Sequence, residues 1–161
     1  MIELPFSLPG KIFRSPMPFS NFDRTDVWAT FREEDVDLVI VLTEKQEYLV
    51  YAGRDLPEFY RSEGMDALHI PVPDYGTPAD LEKWAKALDL AAGAAKDGKN
   101  VAVHCLAGIG RTGIFLACLA KVELNLEGEK AIHWVRESVK GAMENKHQED
   151  FVINYHHDRF R

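Results

Sequence analysis

The chain has 161 residues, 46% hydrophobic and 28% charged, a balance that fits one globular domain large enough to bury about two-thirds of its unfolded surface. Its formal charge is −7 with no run of Lys or Arg longer than two, which argues against nucleic acid or an anionic membrane as partner, since such sites need clustered cations. The start MIELPFSLPG is unlike a secretory signal, no apolar run approaches the ~20 residues that span a bilayer, and two cysteines are too few for a disulfide framework, so a reducing cytoplasm is expected.

In chain order, Lys11–Arg14 reads as a weak first strand, and the next segment, Asp23 to Glu34, reads as a helix with Val27, Trp28 and Phe31 on one face. Leu38–Leu42 is a continuous apolar strand. Asp55 caps a short helix through Glu63, stopped by Gly64, and a third strand spans Ala67–Val72. Thr77-Pro78-Ala79-Asp80 reads as a helix start with Thr77 as cap. The helix carries Leu81, Trp84, Ala85, Leu88 and Ala92 at helical spacing and ends near Gly98. A fourth strand, Val101–His104, is followed by helices over Arg111–Glu123, Glu129–Val139 and Gln148–Arg159. Unbroken apolar strands alternating with helices predict an α/β fold, a central mostly parallel β-sheet flanked by helices. Ligand sites in such sheets lie beyond the carboxyl ends of the strands. The segment VHCLAGIGRT, residues 103–112, leaves one of those ends.

Gly108 and Gly110 let the backbone after Cys105 curl so that successive N–H groups face one centre, and the helix beginning at Arg111 adds its positive dipole end. An anion there would meet about six amides, from Leu106, Ala107, Gly108, Ile109, Gly110 and Arg111, with the Arg111 guanidinium able to clasp two oxygens. The same field favours a thiolate on Cys105, and Thr112 is placed to donate to its sulfur. A nucleotide-binding loop would need a lysine where Arg111 stands, and the glycine spacing is wrong for it. Nucleophile, arginine and amide cradle together suit phosphoryl transfer to sulfur, which needs one further group to protonate the leaving oxygen and deprotonate water. Asp74, in the turn-rich PVPDYGTP directly after the third strand, is the candidate. Its bland alternative is a turn aspartate bonding its own backbone.

At this point HCLAGIGRTG at 104–113 resembles the HCxxGxxR[ST] phosphate loop of the cysteine-based protein tyrosine and dual-specificity phosphatases, and VPDYGTP resembles their mobile general-acid loop. LPGKIFRS at 8–15, VIVLTE at 39–44 and AIHWVRE before GAMENKHQEDF at 131–151 bring the chain nearest to the small single-domain atypical dual-specificity enzymes and their microbial relatives. The resemblance implies a protein tyrosine phosphatase-like fold and a phosphocysteine on Cys105. It also implies phosphate held by Arg111 and the loop amides, Asp74 as acid, Thr112 assisting sulfur departure, and no metal or cofactor. It further implies a phosphorylated protein as substrate and inhibition by oxyanions such as phosphate or vanadate; nothing in the sequence suggests more than a monomer. Glu144 stands where larger relatives carry the principal water-positioning glutamine, with Gln148 four residues on; both are candidates for that role. A small non-protein phosphate ester, or a catalytically inactive phosphate-binding module, are the alternatives.

Around this centre, Glu44 is a candidate partner for Arg111 and equally a solvated carboxylate. Cys118 reads as a packed core thiol. Adjacent His156 and His157 point apart on a helix and read as surface. Tyr48, Tyr51, Phe59 and Tyr75 are candidate walls for an aryl ester. The uncharged Leu106, Ala107 and Ile109 disfavour polyphosphorylated lipids.

Overall fold

A computed structural model describes residues 1–161. In chain order its elements are β1 (Ile2–Leu4), β2 (Ile12–Ser15), α1 (Val27–Glu33), β3 (Val36–Val41), α2 (Lys45–Tyr51), α3 (Leu56–Ser62), β4 (Asp66–His69), α4 (Leu81–Lys96), β5 (Asn100–His104), α5 (Gly110–Glu123), α6 (Gly128–Ser138), α7 (Lys146–Asn154) and a terminal 3₁₀ turn, His157–Phe160. The strands form one sheet in the order β1-β2-β5-β3-β4, parallel throughout except for the edge pairing of β1 with β2. No helix is long and apolar enough to cross a membrane.

The strands are apolar without interruption because both sheet faces are covered. Ile40, Leu42, Val101 and Val103 point into the layer formed with α4, α5, α6 and α7, and Val39, Val41 and Ala102 into the layer with α1, α2 and α3. Each fully buried Val, Leu or Ile contributes about 1.5–3 kcal/mol, so these alternating faces fix the register that places the strand ends. β5 lies between β2 and β3, with Ser15 and Val41 both opposite His104. The carboxyl ends of β2, β3 and β5 therefore open at one edge, where Cys105 emerges.

Several boundaries differ from expectation, each for a local reason. α1 begins at Val27 because Asp26 caps it from a left-handed backbone while the Asp23 carboxylate ties the N–H groups of Phe19 and Val27 into the preceding turn. The cap of α4 is Asp80, accepting from Lys83 N–H, and Thr77 belongs to the loop before it. α7 stops at Asn154, since Tyr155 is extended. His157 is buried against Asp89 (2.8 Å) and Tyr155 (2.9 Å), not at the surface. β4 ends at His69, earlier than the apolar run. The two short elements β1 and α2 carry no clear sequence signal: β1 is three residues at a sheet edge, and α2 has Glu44 at its cap in place of the usual Ser, Thr, Asp or Asn.

Candidate active site

The loop after β5 carries Cys105 into α5, and its curvature is set by where its carbonyls go. Leu106 O accepts from Met17 N–H at 2.9 Å, Ala107 O from Arg14 Nη2 at 3.1 Å, and Gly108 O from Arg14 Nε at 2.9 Å. Ile109 O accepts from Gly113 and Met143 N–H. Because each peptide unit is planar with its C=O and N–H opposed, pulling these carbonyls outward turns the N–H groups of Ala107, Gly108 and Ile109 inward, and none of the three donates to another protein group. Gly108 is required: its φ is 75°, and a Cβ there would lie 2.3 Å from Ser15 O. The result is a concave set of free donors beside the buried Cys105, at the start of α5.

His104, at the end of β5, is fully buried and braces this turn. Its Nδ1 lies 3.0 Å from Cys105 O and its Nε2 2.9 Å from the Tyr60 hydroxyl. A carbonyl can only accept, so Nδ1 carries the proton and Nε2 accepts from Tyr60. Burial pushes the His104 pKa down to about 4, against the raising effect of the Cys105 carbonyl and with help from Arg111 and His69, so the ring is neutral in the working pH range.

Arg111, 2% exposed, is held by three groups. Glu47 grips it bidentately, Nη1 to Oε2 at 2.7 Å and Nη2 to Oε1 at 2.8 Å; Nη1 also donates to Val72 O at 3.0 Å; and Nη2 pairs with Asp74 Oδ1 at 3.2 Å. Burial opposes its charge, but Glu47, Cys105 and Asp74 outweigh burial and raise its pKa. The arginine's structural partner is thus Glu47 of α2, and not Glu44, which is exposed and caps the same helix. The Glu47 carboxylate also accepts Glu44 N–H at 2.8 Å, so the cap of α2 and the arginine clamp share one side chain.

Asp74, after β4, arrives over the loop as the parallel strands require. Its carboxylate accepts Tyr75 N–H at 3.1 Å, the turn contact expected of an aspartate there, and the same oxygen pairs with Arg111. The acid loop is tied to the start of α7 at three points. Asn145 Nδ2 donates to Tyr75 O at 2.9 Å, Gln148 Nε2 to Gly76 O at 3.1 Å, and Thr77 Oγ1 lies 3.3 Å from His147 Nε2. Gln148 is fully buried and its Oε1 accepts Glu144 N–H at 2.7 Å, so its amide joins two loops. Glu144 instead covers the cradle: a Cβ on Gly110 would fall 2.2 Å from Glu144 Oε1. Burial and the neighbouring Asp74 raise the Glu144 pKa, opposed by Arg111 and by Gly110 N–H. The hydroxyl of Thr112 is buried without a protein partner, as are those of Ser15 and Thr43 at the ends of β2 and β3.

The geometry thus gathers Cys105, Leu106, Ala107, Gly108, Ile109, Gly110, Arg111, Thr112, Asp74 and Glu144 at one edge. Of the nominated aromatic walls, only Tyr75 stands at this edge, beside Asp74 in the acid loop. Tyr48 is buried against His69, and Phe59 packs with Phe19 and Trp28. Tyr51 and Tyr75 are largely exposed. Cys118 is buried in α5, where burial pushes its thiol up to about 12. Sequence reasoning missed Arg14, Glu47 and Tyr60, each an ordinary polar residue on a different element until the sheet brings them to His104 and the loop. With Glu44 where the signature of a capping box has Ser or Thr, the sequence held no clear signal for Glu47.

Comparison with known proteins gives the chain's family and fold. The family model described as "Polymorphic toxin system, DSP-PTPase phosphatase" matches residues 17–123. Tyrosine-protein phosphatase cdc-14 of Caenorhabditis elegans is 31% identical over 147 residues, covering 84% of this chain and 19% of that protein. The matches span at most 58% of the length of the first curated relatives. Kinase associated phosphatase, solved with its catalytic-site cysteine replaced by serine, superposes with a TM-score of 0.85 at 19% identity, covering 99% of this chain and 94% of that one. Tk-PTP in its active form gives 0.73 at 26% identity, covering 98% and 97%.

Proposed function

The chain belongs to the dual-specificity and protein tyrosine phosphatase (DSP-PTPase) family, and from that premise we propose that it hydrolyses phosphate monoesters through a phosphocysteine on Cys105. The observation that carries this reading is the 3.2 Å contact of Asp74 with Arg111, which puts an acid at the mouth of the amide cradle. In the first step Cys105 Sγ attacks phosphorus, the bond to the ester oxygen breaks, and protonated Asp74 gives that oxygen its proton. Arg111 and the free N–H groups of the loop hold the three non-bridging oxygens. In the second step water attacks phosphorus, the Asp74 carboxylate takes a proton from it, and the S–P bond breaks. The hydroxyl of Thr112, lacking any protein partner, is available to donate to the returning thiolate. Glu144, over Gly110, is the group proposed to orient the water, and its N–H donates to Gln148.

The substrate proposed is a phosphorylated protein, with phosphotyrosine preferred. Leu106, Ala107 and Ile109 are uncharged and partly exposed at the rim, which suits an aryl ester over a polyphosphorylated headgroup. With Tyr48 buried and Phe59 packed on Phe19 and Trp28, less wall is left than a tyrosine-restricted pocket needs, which favours phosphoserine and phosphothreonine as slower substrates. A small non-protein phosphate ester is the second reading, favoured by the same lack of wall. The test is hydrolysis of an aryl phosphate in chelator, followed by a phosphopeptide panel. Cys105→Ser is expected to be inert and Asp74→Asn to lose about 10²–10⁴-fold, the usual share of a general acid. Phosphate and vanadate are expected to inhibit. Activity that survives Cys105→Ser, or that chelator abolishes, defeats the proposal.

A further inference from the structure

Arg14 is a part-buried cation at the carboxyl end of β2 to which the reaction above gives no role. Its neighbour Ser15 lies opposite His104, so the side chain runs directly behind the Cys105 loop. Both of its hydrogen bonds go to that loop: Nε to Gly108 O at 2.9 Å and Nη2 to Ala107 O at 3.1 Å. Burial lowers its pKa, the neighbouring Cys105 opposes that shift, and no carboxylate is paired with it. Holding a guanidinium out of bulk water without a carboxylate is costly, and the cost is met where an anion repeatedly occupies the adjacent site.

We propose that Arg14 is a positioning residue for the bound phosphate, an inference that rests on the phosphatase reading above. The two carbonyls it holds belong to the peptide units whose opposite sides carry the N–H groups of Gly108 and Ile109. Fixing Ala107 O and Gly108 O behind the loop fixes those two donors in front of it. One planar fork reaches two successive carbonyls, which a lysine ammonium on a flexible stem does not reproduce. The charge then acts through the loop on whatever anion lies in it. Arg111 grips the phosphate from the front, while Arg14 sets the donors from behind. Because the equatorial oxygens are held alike before and during transfer, the contribution is uniform binding, which appears in KM and not in kcat.

The test compares wild type, Arg14→Met and Arg14→Lys by three readouts: calorimetric affinity for inorganic phosphate, KM and kcat on an aryl phosphate, and the rate of Cys105 alkylation by iodoacetamide at neutral pH. Arg14→Met is expected to weaken phosphate binding and raise KM about 10–100-fold, the scale of one hydrogen bond to a charged group, with kcat within about threefold. Alkylation is expected to slow as Cys105 loses the neighbouring positive charge. Arg14→Lys is expected to restore the alkylation rate but only part of the phosphate affinity. Unchanged phosphate affinity in a folded Arg14→Met protein overturns the proposal, as does a loss confined to kcat. If circular dichroism shows that Arg14→Met does not fold, Arg14→Lys decides, and full phosphate affinity in it overturns the proposal. Phosphate binding without hydrolysis in the wild type refutes the phosphatase reading alone. Hydrolysis that is indifferent to Arg14 refutes this inference alone, and a wild type that neither binds nor hydrolyses refutes both.

Discussion

Replacing Glu47 by Gln separates two accounts of how Arg111 is held. The substitution keeps the side-chain length and one carbonyl oxygen, so the capping contact with Glu44 N–H survives, since glutamine serves in that position too. What it removes is the charge and one of the two bonds at 2.7 and 2.8 Å. Breaking a buried pair by deleting one partner costs about 3–5 kcal/mol, and a single hydrogen bond to a charged group about 1.5–3 kcal/mol. Glu47 is 14% exposed and Arg111 retains Val72 O and Asp74, so the lower figure applies and we expect a loss of about 2 kcal/mol. For a chain of this length that lowers the melting temperature by about 4–8 °C. Glu44→Gln alters an exposed cap and is expected to stay within about 0.5 kcal/mol of wild type. Urea unfolding of both variants, with an Arg111→Met cycle to isolate the Glu47 coupling, is the assay. A Glu47→Gln protein as stable as wild type, or a Glu44→Gln protein that loses as much, refutes the reasoning.

The buried His104 makes stability pH-dependent. Its pKa of about 4 lies below the ordinary 6.5, so the unfolded chain binds a proton that the folded site refuses, and stability falls by up to about 3 kcal/mol as pH drops from 6.5 towards 4. Urea midpoints across that range should show this slope in wild type and lose it in His104→Asn. Glu144 has the opposite sign: its raised pKa means the folded state holds a proton longer, so a penalty develops as pH rises above 4.5. Glu144→Gln should therefore be more stable than wild type at pH 7, with the difference vanishing below pH 4.5 in the same measurement. Peptide mapping after iodoacetamide should find Cys105 labelled in native protein and Cys118, buried with its thiol pushed up to about 12, labelled only in denaturant; native labelling of Cys118 would contradict its placement.

Much of the fold was legible because its signals are local. The apolar runs at 38–42 and 101–103 read as strands covered on both faces, and the Gly98 stop and the Asp55 cap are chemistry within a few residues of one another. Boundaries slipped where a distant group intervened: Thr77 has the form of a helix cap, yet it sits beside His147 in the acid loop. His157 followed a helical pattern that Tyr155 breaks, and Asp89 of α4 then draws its ring inward. The assignment of Tyr48 and Phe59 to the site failed because aromatic character says nothing about which layer of the sheet a side chain enters.

By itself the sequence determined the chemistry of the loop. A cysteine, two glycines, an arginine and a threonine within one strand-to-helix turn can make an anion cradle from backbone alone, since its donors are consecutive amides. Tertiary structure decided what holds that cradle in shape. Arg14, Glu47, Tyr60 and Asp74 come from four separate stretches, and only the parallel order of β2, β5, β3 and β4 brings their ends to the same edge. Glu44 and Glu47 show the difference most plainly. Both are acids of one short helix, and one turn of backbone decides which faces Arg111 and which faces water.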